Sequence, residues 1–189
     1  MKYFTDSATL INCFLFFWNF PSSKGLLKPR WTYDLIEITT FTSNPDCVEM
    51  NATVHRIDRG RYGYSGYLNF NSDMGEDILI LVTVQRSIQK EGSFGYLPFL
   101  GYNVTLPVAM NLYYKPLLMK SVQQCCENAP VFEKSFTPPI TKRNISINKC
   151  ELSNEALPLI MLDGYYKLRT TFFGNDFYGY MEALAYVEN

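Results

Sequence analysis

The residues of this chain that could do chemistry are few, and they do not form a recognised catalytic set. His55 is the single histidine, so a zinc site, or any mechanism that needs two histidines, is improbable. The pairs Asp176/Glu182 and Glu76/Asp77 have the residue types of a glycosidase dyad, but carboxylates at turn tips are normally solvated. No nucleophile elbow, phosphate loop or His-Glu-x-x-His motif occurs. We therefore expect a protein that is not an enzyme and that needs no metal or cofactor.

An apolar stretch near the N-terminus predicts a cleaved secretory signal peptide over residues 1–25. The stretch runs from Ala8 to Phe20, which is too short to span a bilayer comfortably, and small residues suitable for cleavage follow it. Asp6 is unusual in such a leader, so a membrane anchor is the alternative. No other run is apolar and long enough for a membrane span. Residues 26–189 are therefore expected to be one secreted, extracellular domain.

Four cysteines remain after the predicted cleavage, and an even number suits an oxidising compartment. They are Cys47, Cys125, Cys126 and Cys150. A bond between the neighbours Cys125 and Cys126 would strain the peptide between them, so each is expected to reach a distant partner. One of the two would pair with Cys150 and the other with Cys47, in an order that the spacing leaves open. Free buried thiols are the alternative.

Three glycosylation sequons add to the signals of secretion. They begin at Asn51, Asn103 and Asn144, and each marks an expected surface position. The net charge of -1 provides no excess of positive charge to follow a phosphate backbone. The composition therefore argues against a nucleic-acid partner.

The segments that must position these residues are mostly predicted strands. The chain has 189 residues, of which 47% are hydrophobic, and it is rich in tyrosine and phenylalanine, which favour sheets. A helix is expected near residues 108–119, with Thr105 as its cap and Pro116 ending or kinking it. Strands are expected over residues 31–42, 47–57, 62–71, 78–87, 144–151, 165–173 and 177–187. This order predicts an all-β, mainly antiparallel sandwich or cup with one short helical excursion.

Alternation along the strands predicts which side chains face the interior. Residues 48–54 alternate between apolar side chains and a polar face that carries the sequon at Asn51. Two sheets that splay leave an apolar cavity between their inner faces, whereas two sheets in close contact have a filled core, and composition does not separate the two. The expected wall of such a cavity consists of Val48, Met50, Ala52, Val54, Tyr64, Leu68, Phe70, Ile80, Val82, Val84, Met181 and Ala183.

Several motifs in the second half of the chain are distinctive. They are residues 126–130 (CENAP), 145–150 (ISINKC) and 162–168 (LDGYYKL). With the strand at 48–54 and the turn at 59–63, they resemble the CheB family of insect chemosensory proteins. That family is similar to the ganglioside activator protein and to the ML type of lipid-recognition domain. The resemblance covers roughly residues 30–189. The resemblance implies one disulfide comparable to a bridge of the activator protein, between Cys150 and either Cys125 or Cys126.

The resemblance implies a function as well as a fold. It implies a β-cup that holds an apolar small molecule of the lipid or cuticular-hydrocarbon type. It also implies secretion into sensillum fluid and a role in detecting pheromones by taste or contact, with a chemoreceptor or ion channel as a further partner. The alternative is an accessory protein that binds a receptor or a glycolipid-processing enzyme through its surface and has no ligand of its own.

Overall fold

The computed structural model describes residues 29–97 and 101–189, apart from the side chain of Ala156. The predicted signal peptide at residues 1–25 therefore lies outside the described residues. The strands are β1 (Thr32–Thr42), β2 (Val48–Asp58), β3 (Arg61–Phe70), β4 (Leu79–Ser87), β5 (Gly95–Tyr96), β6 (Asn103–Thr105), β7 (Cys126–Glu127), β8 (Arg143–Cys150), β9 (Gly164–Phe173) and β10 (Tyr178–Glu188).

These strands form two antiparallel sheets that pack on each other. The larger sheet has the order β1-β10-β9-β4-β5, and β6 also pairs with β4. The smaller sheet has the order β2-β3-β8-β7. This arrangement confirms the predicted all-β sandwich. The prediction succeeded because alternating, β-branched and aromatic segments separated by turn residues fit a pleated, half-buried surface.

One edge of the sandwich is closed where consecutive strands change sheets. β1 ends the larger sheet and β2 ends the smaller one, and a short turn joins them. The hydroxyl of Thr40 on β1 donates a hydrogen bond of 3.3 Å to the carbonyl of Met50 on β2. In the turn, the side-chain amide of Asn44 donates a hydrogen bond to the carbonyl of Asp176 and contacts the sulfur of Cys47. These contacts hold the two sheets together at this edge.

A helical segment links the two sheets at the other edge, between β6 and β7. It consists of α1 (Leu106–Ala109), a π-helical stretch (Met110–Leu118) and α2 (Met119–Cys125). Thr105 holds the N-cap position, but its side chain makes no capping hydrogen bond. Of the two effects predicted for Pro116, ending the helix near residue 119 is wrong, because Pro116 lies inside the π-helical stretch and the helical segment continues to Cys125. In this stretch the hydrogen bonds run from i to i+5 and not from i to i+4. The stretch includes Pro116, whose ring nitrogen has no hydrogen to donate. In the described part of the chain, no helix has the length and apolar character that crossing a membrane requires.

Two clusters of buried side chains fill separate parts of the interior. The main cluster includes Val48 and Phe70 of the smaller sheet and Ile80 of the larger sheet, and the helical segment packs Leu106 and Met110 against them. The second cluster is smaller and consists of Trp31, Tyr166 and Val187, with partly buried neighbours around them. The indole nitrogen of Trp31 donates a hydrogen bond of 2.8 Å to the carbonyl of Pro158, so this polar group is satisfied.

Candidate functional site

The inner face of the larger sheet is built from rows of paired residues that cross four strands. One row joins Val82, Thr170, Met181 and Thr40. The next row joins Val84, Leu168, Ala183 and Ile38. All eight side chains are uncharged, so this face can contact apolar matter without desolvating a charge.

Leu168 is the residue that distinguishes this face from a filled core. It lies on the central strand β9, between Phe172, which packs on the main cluster, and Tyr166, which belongs to the second cluster. Its side chain nevertheless remains 40% exposed. In a tightly packed sandwich, a leucine on the inner face of a central strand would be covered. The inner face of the larger sheet is therefore open to solvent at Leu168, between residues of the two clusters.

The smaller sheet supplies the opposite face, with the parity that the sequence predicts. In the register of β2 and β3, Val48 pairs with Phe70, Met50 with Leu68, Ala52 with Gly66, and Val54 with Tyr64. The predicted alternation on β2 is confirmed, because Met50 and Ala52 are buried whereas Asn51 is exposed. Gly66 has no side chain, so the inner face beside the Ala52–Gly66 pair is formed by Ala52 and by side chains of the opposite sheet.

The predicted wall residues divide into two groups in the structure. Val48, Met50, Phe70 and Ile80 are buried in the main cluster, so they fill a core and do not face open space. Ala52 is also buried, although it belongs to neither cluster. The remaining residues are only partly buried: Val54, Tyr64, Leu68, Val82, Val84, Met181 and Ala183.

Sequence reasoning missed Leu168 as a wall residue, together with Ile38 and Thr40. The signal was present in strand β9, because Lys167 and Arg169 mark its outer face and so place Leu168 on the inner one. For β1 the signal was weak. A register shift between Leu35 and Glu37 changes which residues face inward along that strand.

Tyrosines border the interior, and burial raises the pKa of their phenols. Burial raises the pKa of Tyr64 far above its ordinary value, with the nearby Cys126 thiol adding a smaller effect. Burial raises the pKa of Tyr33 to about 12, with Glu151 as the second cause, although the phenol donates a hydrogen bond of 2.7 Å to the carbonyl of Leu152. These groups thus add no charge to the interior at neutral pH.

Two open depressions on the surface lie away from the predicted wall. One, of about 450 Å³, lies along the hairpin that follows β4, from Arg86 to Ser93. The other, of about 220 Å³, lies between Pro130 and Arg143 in the loop before β8. None of the predicted wall residues lines either depression.

The cysteines form one of the two expected bridges. Cys125 at the end of α2 is joined to Cys150 at the end of β8. Cys47 and Cys126 are free thiols, so the expected second bridge to Cys47 is not formed. The reason is topological: Cys47 precedes β2 and Cys126 begins β7, and these strands lie at opposite edges of the smaller sheet.

The sequons and the candidate polar residues lie on the surface. Asn51 and Asn144 are exposed on the outer face of the smaller sheet, and Asn103 is exposed on β6. His55 is also exposed, with a ring nitrogen 3.0 Å from the hydroxyl of Thr53. Glu182 is paired with Arg169 at 2.8 Å.

The outer face of the larger sheet carries an aromatic patch that sequence reasoning did not identify. We define the aromatic patch as Phe41, Phe173, Tyr178 and Tyr180. Its neighbouring ring centroids lie 5.5–6.2 Å apart. The guanidinium of Arg169 stacks on Tyr180 at 4.3 Å. Phe41 is 45% exposed and Tyr178 is 37% exposed, so the patch presents apolar rings to solvent.

No protein-family model matches the chain, and no curated protein matches it. The resemblance of its motifs to the CheB family therefore stays a prediction.

Proposed function

We propose that this protein binds an apolar small molecule between its two sheets, beside Leu168. The observation that carries the proposal is the 40% exposure of a leucine on the inner face of the central strand of the larger sheet. The residues paired with Leu168 on the neighbouring strands are uncharged. Binding of an apolar ligand would remove this exposed apolar surface from water, which is favourable in free energy.

The biological part of the proposal depends on the resemblance to the CheB family. On that basis, the protein is a secreted, non-enzymatic carrier of a lipid or cuticular-hydrocarbon ligand in chemosensory perception, and it delivers that ligand to a chemoreceptor or ion channel. The surface positions of all three sequons support secretion. Native mass spectrometry of the secreted protein, after incubation with a mixture of long-chain alkenes, tests the ligand class.

A filling substitution tests the site. Ala183 pairs with Leu168, so the larger side chain of Ala183→Phe would occupy the open space beside it. We expect at least about a tenfold loss of binding of N-phenyl-1-naphthylamine, a fluorescent apolar probe, which corresponds to roughly 1.4 kcal/mol. The melting temperature should change by less than about 4 °C, because the new ring displaces no neighbour.

Ala52→Phe is the matched control. Ala52 is 6% exposed, so a phenylalanine there overpacks a filled region. Overpacking typically costs about 1–3 kcal/mol, which lowers the melting temperature by roughly 2–12 °C in a protein of this size. The proposal fails if Ala183→Phe is as destabilising as Ala52→Phe and the parent protein binds no probe.

The aromatic patch favours the second candidate function, an accessory protein that binds a partner through its surface. Exposed aromatic clusters are common at protein interfaces. Two of the three sequons, Asn51 and Asn144, lie on the outer face of the other sheet, so glycans there would leave the patch accessible.

Replacing the wild-type protein by each of its variants in chemosensory sensilla distinguishes the two candidate functions. If the protein acts as a carrier, Ala183→Phe should reduce the response to pheromone, and Phe41→Ser should leave it unchanged. If the protein acts through the aromatic patch, the reverse is expected. Tyr96→Ser is the control for loss of an exposed aromatic ring, since Tyr96 is 72% exposed and outside the patch.

A further inference from the structure

Three cysteine sulfurs meet where the helical segment joins the smaller sheet. The sulfurs of Cys125, Cys126 and Cys150 all lie within 4.8 Å of one another. Two of them are bridged, and Cys126 is a half-buried free thiol beside that bridge. A free thiol this close to a disulfide meets the distance requirement of thiol–disulfide exchange.

Burial determines which thiol can reach the sulfur of Cys150. Cys150 has no exposed surface, so a thiol from solvent has no direct path to its sulfur. Cys126 is held beside it because β7 pairs with β8, with Cys126 opposite Ile147. The internal thiol is therefore positioned to attack a sulfur that external thiols do not reach.

We propose that Cys125, Cys126 and Cys150 form a thiol–disulfide exchange site in which Cys150 alternates between its two neighbours. The thiolate of Cys126 attacks the sulfur of Cys150, and a bond between these two sulfurs forms. The bond between Cys125 and Cys150 breaks, and its electron pair leaves on the sulfur of Cys125. Cys125 then takes up the proton that Cys126 lost, so the step needs no external oxidant or reductant.

Attack on Cys150 is preferred to attack on Cys125. Attack on Cys125 would join two neighbouring cysteines, and that bond strains the peptide between them. The two productive bridges close loops whose lengths differ by one residue, since the observed bridge spans a separation of 25 residues. The entropy of loop closure therefore favours neither bridge. Local contacts decide the balance, such as that of the Cys125 sulfur with the carbonyl of Ser121 at 3.2 Å.

The surroundings of Cys126 make exchange slow at neutral pH. Burial raises the pKa of the Cys126 thiol, and the neighbouring groups that face it are the phenols of Tyr64 and Tyr114. A small thiolate fraction limits the rate, because the thiolate is the nucleophile. Exchange should therefore be faster at mildly alkaline pH. The site is independent of the proposed apolar ligand, so either proposal can fail alone.

Labelling of the folded protein tests the exchange site. A Cys13→Ser, Cys47→Ser background removes the cysteine of the predicted signal peptide and the other free thiol of the described residues. Folded protein is first held at mildly alkaline pH without reagent, then labelled with N-ethylmaleimide at neutral pH, quenched in acid and mapped without reduction, with fragmentation between residues 125 and 126. We expect one label per molecule, divided between Cys125 and Cys126. Label confined to one of the two cysteines would overturn the proposal.

Two matched variants in the same background give a second test. Cys126→Ser should lose all labelling, because its two remaining cysteines are bridged. Cys125→Ser should also lack a free thiol, because Cys126 now pairs with Cys150. A folded Cys125→Ser protein with two free thiols would refute the proposal. If Cys125→Ser does not fold, the division of label in the parent decides the question.

Discussion

Cys150→Ser is expected to reduce the free energy of unfolding by about 2–5 kcal/mol, the usual cost of losing a native bridge in a small secreted domain. Two effects add. The substitution removes the covalent link between β8 and the end of the helical segment, and it places a hydroxyl where the parent side chain has no exposed surface. Denaturant unfolding of the purified protein measures the change.

The control for this variant is Cys47→Ser. Cys47 is a free, half-buried thiol whose sulfur accepts a hydrogen bond of 3.3 Å from the amide of Asn44, and a serine oxygen can accept the same bond. Its effect should stay within roughly 1 kcal/mol. Equal stabilities of the two variants would contradict the role assigned to the bridge, as would a wild-type protein in which Cys150 is a free thiol.

Gly66→Ala should cost about 3 kcal/mol or more, although it adds a single methyl group. Gly66 lies on β3 between Ala52 of β2 and Ile147 of β8. An added Cβ would collide with the carbonyl oxygen of Asn51 and lie 2.8 Å from the Cα of Ala52. Both are backbone atoms, so no rotamer change relieves the clash and the strands must separate. Thermal unfolding should show a drop of roughly 6–12 °C.

Gly95→Ala is the matched control for that prediction. An added Cβ at Gly95 would meet nothing within 4 Å, and no positive φ demands glycine there. The alanine should change the free energy of unfolding by less than about 0.5 kcal/mol, and it reduces the entropy of the unfolded chain. If Gly66→Ala melts at the same temperature as Gly95→Ala, the close approach of β2 and β3 is not as described.

The sequence alone was sufficient to predict the seven longer strands and the inward face of β2, but not the short strands β5, β6 and β7. The alternation in β2 places Met50 and Ala52 inside and Asn51 outside, and the structure has the same parity. Such predictions succeed because the side-chain period of a strand is two, and a shift by one residue would bury a polar face. The hairpin of β9 and β10 was also predictable, since Gly174-Asn175-Asp176 separates two aromatic, β-branched segments.

Only the tertiary structure decided how far the interior is filled and which cysteines meet. Val48 and Leu168 are both apolar and both face inward, yet the first is 2% exposed and the second 40%. Strand periodicity specifies a face, but the separation of two sheets depends on side chains from distant parts of the chain. Likewise, the spacing of the cysteines allowed a bridge to Cys47. The strand order of the smaller sheet places Cys47 and Cys126 at opposite edges, because distances across a sheet follow its topology and not the separation along the chain.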